Sequence, residues 1–233
     1  AYSFERCIEE MFKNEPYGLY KFGYIEDLDL ITPKSLYKYY CELLQKCKID
    51  IFLSGDFEGK NINEIIKNNC EINKLTERKP EYIANIEKTE IQEVKKTKII
   101  EEKMQVGQGN LVIGLSSNSQ IENSKFIMSV YNAILGGGAN SKLFQNVREK
   151  NSLAYTAGST FKRQKNTIFI RCGIEISNYD KALETIKKQI EDMRNGKFTE
   201  EDIENSKKLI ISSIKGISAE QDSEITYYYG QEL

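Results

Sequence analysis

The sequence contains no histidine among its 233 residues, and this absence excludes whole classes of enzyme. Catalytic zinc usually takes three protein ligands, and every zinc motif built on histidine is excluded by count. Ser-His-Asp and Cys-His nucleophiles are excluded as well, because each needs an imidazole as its base. We therefore assign no catalytic residue and no metal ligand, and we expect the chain to hold no cofactor of its own.

Cysteine is also sparse, with five residues at Cys7, Cys41, Cys47, Cys70 and Cys172. A small secreted scaffold would carry a denser, even-numbered set, so these residues are interpreted as free thiols in a reducing compartment. Cys41 and Cys47 lie six residues apart on one predicted helix and fall on different faces, so they do not share a metal. The expected location is cytoplasmic.

Long apolar runs and clusters of one charge are missing too. Basic and acidic residues number 33 and 35 and are spread along the chain, which argues against a nucleic acid or an anionic membrane as partner. No apolar run approaches the roughly 18 residues that a membrane span needs. A hydrophobic content of 39% is enough for a packed core, so a folded protein is expected.

The spacing of apolar residues predicts an α+β fold, with an antiparallel-rich sheet and helices packed on it. Three helices are predicted from their starts, at Thr32-Pro33, at Asn140 and at a Thr199–Asp202 capping box. Two further helices are predicted over residues 126–135 and 179–193. Predicted strands cover 49–54, two segments of 84–115, and 153–161 and 168–176, the last two as a hairpin around Lys165-Asn166. The strand 168–176 alternates by period two and is predicted to be half-buried.

A polar stretch rich in lysine, asparagine and glutamate divides the chain into two predicted parts. Residues 58–80 are the predicted linker between a first part, 1–57, and a second α+β domain, 81–233. The chain starts inside an apolar helical face and stops just after Tyr229 without a closing element. We expect it to be a piece of a longer protein, with its second domain truncated at the C-terminus.

Three glycines, Gly136-Gly137-Gly138, invite comparison with a phosphate-binding loop. That motif is not met, because Ser141 stands where glycine is required and Leu143 where Ser or Thr is required. A turn between two helices is predicted instead, with Gly137 or Gly138 at positive φ.

Arg148 and Tyr155 are the candidate binding residues. Arg148 lies near the end of a predicted helix, and Tyr155 lies seven residues later on the following strand. A reversal between helix and strand would bring the guanidinium and the phenol over one cleft. Two such donors suit the carbonyl oxygens of an extended peptide. On residue type alone, however, surface packing explains such a pair more often.

The segment around this pair, LGGGANSKLFQNVREKNSLAYTAGSTF, resembles the C-terminal half of the pitrilysin-type, or insulinase-like, zinc metallopeptidases, including their processing-peptidase branch. Their stretch LGGG-x-x-S-[KR]-L-F-x-x-V-R-E-K-x-x-L-A-Y fits residues 135–155. The resemblance implies that Arg148 and Tyr155 bind a peptide substrate lying as an added strand at a sheet edge. It also implies that zinc and the glutamate base belong to a zinc-bearing homologous subunit or domain.

Residues 14–56 resemble, less sharply, the closing part of a preceding homologous half. We favour a non-catalytic, peptide-binding subunit that supplies the Arg/Tyr pair to a zinc-bearing partner. Two alternatives remain open: the C-terminal part of a complete single-chain zinc protease, and a purely structural relative. The sequence upstream of Ala1 distinguishes the first alternative.

We predict that the purified chain contains no stoichiometric zinc and hydrolyses no peptide, because it lacks histidine and any clustered set of cysteines. Elemental analysis measures the metal, and a peptide-cleavage assay with and without chelator measures the activity. Zinc at one equivalent together with chelator-sensitive cleavage would contradict the prediction.

Overall fold

The computed structural model describes residues 2–69, 79, 97–117 and 124–232. Contacts divide the chain into two compact units: Ala1–Tyr20 with Lys88–Ser213, and Lys21–Glu87 with Ile214–Leu233. The α-helices of the described ranges are α1 (Tyr2–Met11), α2 (Ile25–Leu28), α3 (Pro33–Lys46), α4 (Ile62–Asn68), α5 (Ser124–Gly136), α6 (Tyr179–Arg194), α7 (Glu200–Ile217) and α8 (Gln221–Glu232). A π-helix covers Phe144–Glu149. No helix in these ranges combines the length and the apolarity that crossing a membrane requires.

An antiparallel sheet of three strands forms the centre of the first unit. Its strands are β1 (Gly109–Ser116), β2 (Ala154–Lys162) and β3 (Thr167–Ile174), in the order β1-β3-β2. The predicted hairpin of β2 and β3 is confirmed, and a 3-10 turn with Asn166 at φ 45° joins the two strands. With helices packed on this sheet, the predicted α+β fold is confirmed.

Strand β3 is buried on both faces. Ile168, Ile170, Cys172 and Ile174 point into the main core, which α5 and α6 cover. On the opposite face Phe169 is fully buried beneath α1, where it packs with Ile8 and Phe12. The prediction of a half-buried strand was therefore wrong, because a helix more than a hundred residues earlier in sequence covers the second face.

Helix α1 approaches this second face closely. A Cβ on Gly114 of β1 would overlap the Met11 sulfur, so the glycine leaves space for this side chain of α1. The Phe4 ring packs edge-on against Phe169 at 5.0 Å, and the Arg171 guanidinium lies 5.0 Å from the Phe4 centroid. Sequence spacing near residue 114 gave no sign of this contact.

Two predicted helix starts are confirmed by their capping hydrogen bonds. The Thr32 hydroxyl accepts from the Ser35 amide at 3.1 Å, at the start of α3. The Thr199 amide donates to Asp202 at 2.9 Å, while the Asp202 amide donates to the Thr199 hydroxyl at 3.1 Å. At the helix predicted to start from Asn140, the neighbouring Ser141 hydroxyl accepts from the Phe144 amide instead, at 3.4 Å.

Several predicted elements differ in the structure. Residues 49–54 form no strand; instead the Phe52 ring packs edge-on against Tyr229 at 5.3 Å within the second unit. Residues 97–106 form no strand either, and the rest of the predicted segment 84–96 lies outside the described residues. Helix α4 lies inside the predicted linker 58–80.

The compact units also interleave in sequence, since residues 2–20 pack with the sheet that forms much later in the chain. A simple division at 58–80 does not describe this packing. The assignment of 1–57 to a preceding homologous half and of 81–233 to a second domain stays a prediction.

The glycine turn has a role other than the predicted one. Neither Gly137 nor Gly138 has positive φ, so that prediction was wrong. A Cβ on Gly136 would lie 2.5 Å from both the amide nitrogen and the hydroxyl of Ser159. The glycine is needed because the end of α5 lies directly against strand β2.

We predict that Gly136→Ala lowers the free energy of unfolding by about 1–3 kcal/mol, because the added methyl overlaps backbone that cannot move freely. Gly216→Ala is the matched control: apart from the backbone of α7 itself and the two chain neighbours, no described atom lies within 4 Å of its Cβ position. The control should be neutral or stabilising by up to about 1 kcal/mol. Urea denaturation measures both variants, and equal midpoints would contradict the close-approach interpretation.

Candidate functional site

The π-helix and the turn after it hold Arg148 in place. Leu143 and Val147 are fully buried, and Leu153 is almost so, which fixes the chain on both sides of Arg148. The Ser152 amide donates to the Arg148 carbonyl at 3.0 Å, and the Leu153 amide donates to Val147 at 2.9 Å. Ser152 takes a left-handed conformation, φ 50°, which lets the chain reverse sharply into β2.

Tyr155 lies at an irregularity of strand β2. Ala154 pairs with Ile174 and Thr156 pairs with Gly173, so Tyr155 is an extra residue without a partner on β3. Such a β-bulge interrupts the alternation of faces and re-aims the side chain. As a result Tyr155 is 57% exposed.

The bulge overturns one expectation about the surroundings of Tyr155. Regular alternation along the strand would place Ala157 and Ser159 on the same face as Tyr155, where such small residues would leave room for a peptide. Ala157 instead packs against the main core, and the Ser159 hydroxyl donates to the Asn132 carbonyl of α5 at 3.3 Å. Ala157 and Ser159 therefore make room for the core and for α5, and they do not line the space beside Tyr155.

An open groove of about 400 Å³ brings the two candidate residues together. It lies at the start of β2, which is an edge strand of the described sheet. The groove is lined by Arg148, Glu149, Ser152, Leu153, Ala154, Tyr155, Glu175 and Asn178. The structure therefore places Arg148 and Tyr155 at one surface depression beside a sheet edge.

The Arg148 guanidinium is positioned by an aromatic ring. Its central carbon lies 4.7 Å from the centroid of Phe144, one turn earlier in the π-helix. Its Nε lies 3.6 Å from the Glu149 carboxylate, and 44% of the side chain is exposed. A cation held over a ring keeps its donors available to a ligand at the rim of the groove.

Glu175 is a third polar residue of the groove, and sequence reasoning missed it. The Tyr155 hydroxyl donates to its carboxylate at 3.1 Å. This hydrogen bond from Tyr155 to Glu175 raises the pKa of the phenol above its ordinary value. The hairpin register alone offered only a weak signal, because in an antiparallel pair with Ile174 opposite Ala154 the residues Glu175 and Tyr155 are diagonal neighbours.

The donor set does not fit a catalytic zinc ion. The sequence has no histidine, and no three cysteine, aspartate or glutamate side chains converge among the residues that the structure covers. Burial raises the pKa of the Cys172 thiol to about 11 and raises that of Cys7, so both stay protonated at neutral pH.

The sequence matches the family model described as "Peptidase M16 inactive domain" over residues 30–210. It is 34% identical over 214 residues to the "Probable inactive metalloprotease YmfF" of Bacillus subtilis, covering 91% of this chain and 49% of that protein. The chain thus spans about half the length of this relative.

Solved structures share the fold. A conserved protein from Enterococcus faecalis superposes with a TM-score of 0.79 at 28% identity, covering 99% of this chain and 53% of that one. An M16 inactive domain from Pseudomonas fluorescens superposes with a TM-score of 0.66 at 15% identity, covering 91% and 50%. The second similarity shows the fold alone.

We predict that Tyr155 titrates above the ordinary tyrosine pKa of about 10 and that Glu175→Gln lowers this value. The neutral amide no longer opposes a negative charge on the phenol oxygen. The folded-state pKa is raised, so the hydrogen bond stabilises the fold below the unfolded-state pKa and is lost as pH rises through the folded-state pKa.

Carbon-13 NMR of labelled tyrosine ring carbons follows this titration, with Tyr155→Phe identifying the signal. Glu184→Gln, on the exposed face of α6, is the control and should leave the titration of Tyr155 unchanged. An identical pKa in the wild type and Glu175→Gln would contradict the hydrogen bond.

Proposed function

The chain belongs to the peptidase M16 family, matching its inactive domain, and we propose that it binds the peptide substrate as a non-catalytic part of a peptidase assembly. The membership confirms the pitrilysin-type resemblance of residues 135–155. The observation that carries the peptide-binding proposal is that Arg148 and Tyr155 line one groove beside edge strand β2.

An extended peptide fits this position because β2 is an edge strand of the described sheet, and an edge strand presents main-chain groups on its outer side. A peptide that adds a strand to a sheet edge gains its affinity from main-chain hydrogen bonds. Arg148 has only donors, so it suits a peptide carbonyl, and its stacking on Phe144 holds those donors in one direction. Tyr155 lines the same groove, where its hydroxyl contacts the peptide main chain.

In the assembly that we propose, a zinc-bearing homologous subunit or domain supplies the metal-activated water and the glutamate base. The residues of this chain hold the peptide backbone in a fixed register against those groups. Such positioning contributes to rate because the reacting atoms no longer have to find one another by diffusion. The cytoplasmic location expected from the sparse cysteines is part of the same proposal.

We predict that Arg148→Ala lowers kcat/KM of the assembly reconstituted with its zinc-bearing partner by about 10- to 100-fold, as for a lost hydrogen bond to a charged group. Tyr155→Phe should lower it less, by about 3- to 10-fold, because the ring remains and a neutral hydrogen bond is weaker. Peptide cleavage by the full-length proteins measures both.

Matched controls separate binding from folding. Arg194→Ala removes an exposed guanidinium paired with Glu191, and Tyr37→Phe removes an exposed hydroxyl outside the groove. Both controls should cleave at the wild-type rate. If Arg148→Ala and Tyr155→Phe fold normally and also cleave at that rate, the purely structural alternative becomes the better one. Cleavage by the full-length protein without a partner would favour the single-chain alternative.

A further inference from the structure

We propose that Tyr155 contacts the substrate as a hydrogen-bond acceptor, with Glu175 holding the phenol proton, so that the groove selects a peptide with a free main-chain N–H at this position. The inference rests on the proposed function. It reverses the role expected from sequence, where Tyr155 was a second donor to a carbonyl oxygen.

The proton of the Tyr155 phenol is already engaged in a hydrogen bond. A phenol has a single proton, and this one points to the Glu175 carboxylate at 3.1 Å. An ionised carboxylate accepts only, so the direction of the bond is fixed. To donate to a peptide carbonyl, Tyr155 would have to give up a charge-assisted hydrogen bond for a neutral one. Accepting from an N–H requires no such exchange.

Both partners of this hydrogen bond are held by the backbone. The bulge sets Tyr155 outside the regular pairing of β2 and β3. Glu175 follows the last residue of β3, and its carbonyl accepts from the Asn178 amide at 2.9 Å in the 3-10 turn that comes next. The backbone of Glu175 is therefore fixed beside the groove, and its carboxylate accepts from the phenol at 3.1 Å.

The charge of Glu175 strengthens the proposed acceptor. Within the described ranges, Glu175 forms no ion pair with a lysine or arginine that would neutralise its carboxylate. A donor bonded to an anion becomes a better acceptor in turn, because hydrogen bonds in series polarise one another. The exposed phenol oxygen thus presents its remaining lone pairs to the groove with increased negative character.

Arg148 and Tyr155 then form an unlike pair across one groove. A guanidinium donates only and, with Glu175 in place, the phenol accepts. A peptide main chain offers both a carbonyl and an N–H, so one segment satisfies both residues. Two donors would match carbonyls alone and would tolerate proline or an N-methylated residue. The donor–acceptor pair excludes proline and N-methylated residues where the N–H meets Tyr155.

The test uses the intact chain and a fluorescein-labelled peptide of alternating valine and serine. A set of variants carries one N-methylated amide each, which removes the N–H but keeps the carbonyl as an acceptor. Fluorescence anisotropy measures the affinity of every peptide for the wild type and for Tyr155→Phe. At one position, methylation should weaken wild-type binding by about 3- to 10-fold, and this loss should disappear in Tyr155→Phe.

Glu175→Ala tests whether the Glu175 carboxylate orients the hydroxyl proton of Tyr155. With the carboxylate gone, the hydroxyl is free to rotate and donate. The affinity loss caused by methylation should then differ by less than about twofold between proteins with and without the Tyr155 hydroxyl, and this difference is the coupling between methylation and Tyr155. Glu184→Ala is the matched control, since it removes an exposed carboxylate of α6 outside the groove, and it should leave the coupling intact.

The outcomes separate this inference from the proposed function. No binding at millimolar concentration, or wild-type affinity in both Arg148→Ala and Tyr155→Phe, overturns the proposed function and this inference with it. If Tyr155→Phe weakens binding but no methylated position couples to it, Tyr155 donates to a carbonyl. The inference then fails while the proposed function stands. Unchanged coupling in Glu175→Ala likewise overturns it.

Discussion

Burial of strand β3 from both sides is the interaction on which the first unit depends. Ile168 and Ile170 fill the core beneath α5 and α6, while Phe169 fills the space beneath α1. Truncating a buried side chain of this size typically costs about 2–5 kcal/mol, a large share of the stability of a small unit. The same burial holds the backbone of the groove in place, because Glu175 directly follows β3 and Tyr155 lies on the strand that pairs with it.

The long periodic elements of the fold could be predicted from the sequence. Helices α5, α6 and α7 repeat their apolar residues over several turns, and a local capping bond marks the start of α7. Residues 49–54 show why pattern alone is insufficient. Their composition suits a strand, but a strand needs a neighbouring strand to bind its backbone N–H and C=O groups. Within the described ranges no strand pairs with residues 49–54.

The candidate site was predicted in part for a similar reason. Spacing and family resemblance placed Arg148 and Tyr155 at one groove, and the structure places them there. Glu175 escaped notice because its contact depends on a single extra residue in β2, which breaks the period-two rule that the prediction used. The three glycines show another ambiguity. Glycine serves both positive φ and close approach, and the sequence does not say which one applies at Gly136.

The packing of α1 on the sheet has a consequence for the order of folding. The hairpin of β2 and β3 joins residues that are near neighbours in the chain, so its closure loses little chain entropy. Tyr2 and Glu102, whose hydrogen bond lies beside α1, are 100 residues apart. Contacts of such separation slow the search for the native state. We therefore expect the hairpin to form early and α1 to dock late. Until α1 docks, the second face of β3 remains open to water and to other chains.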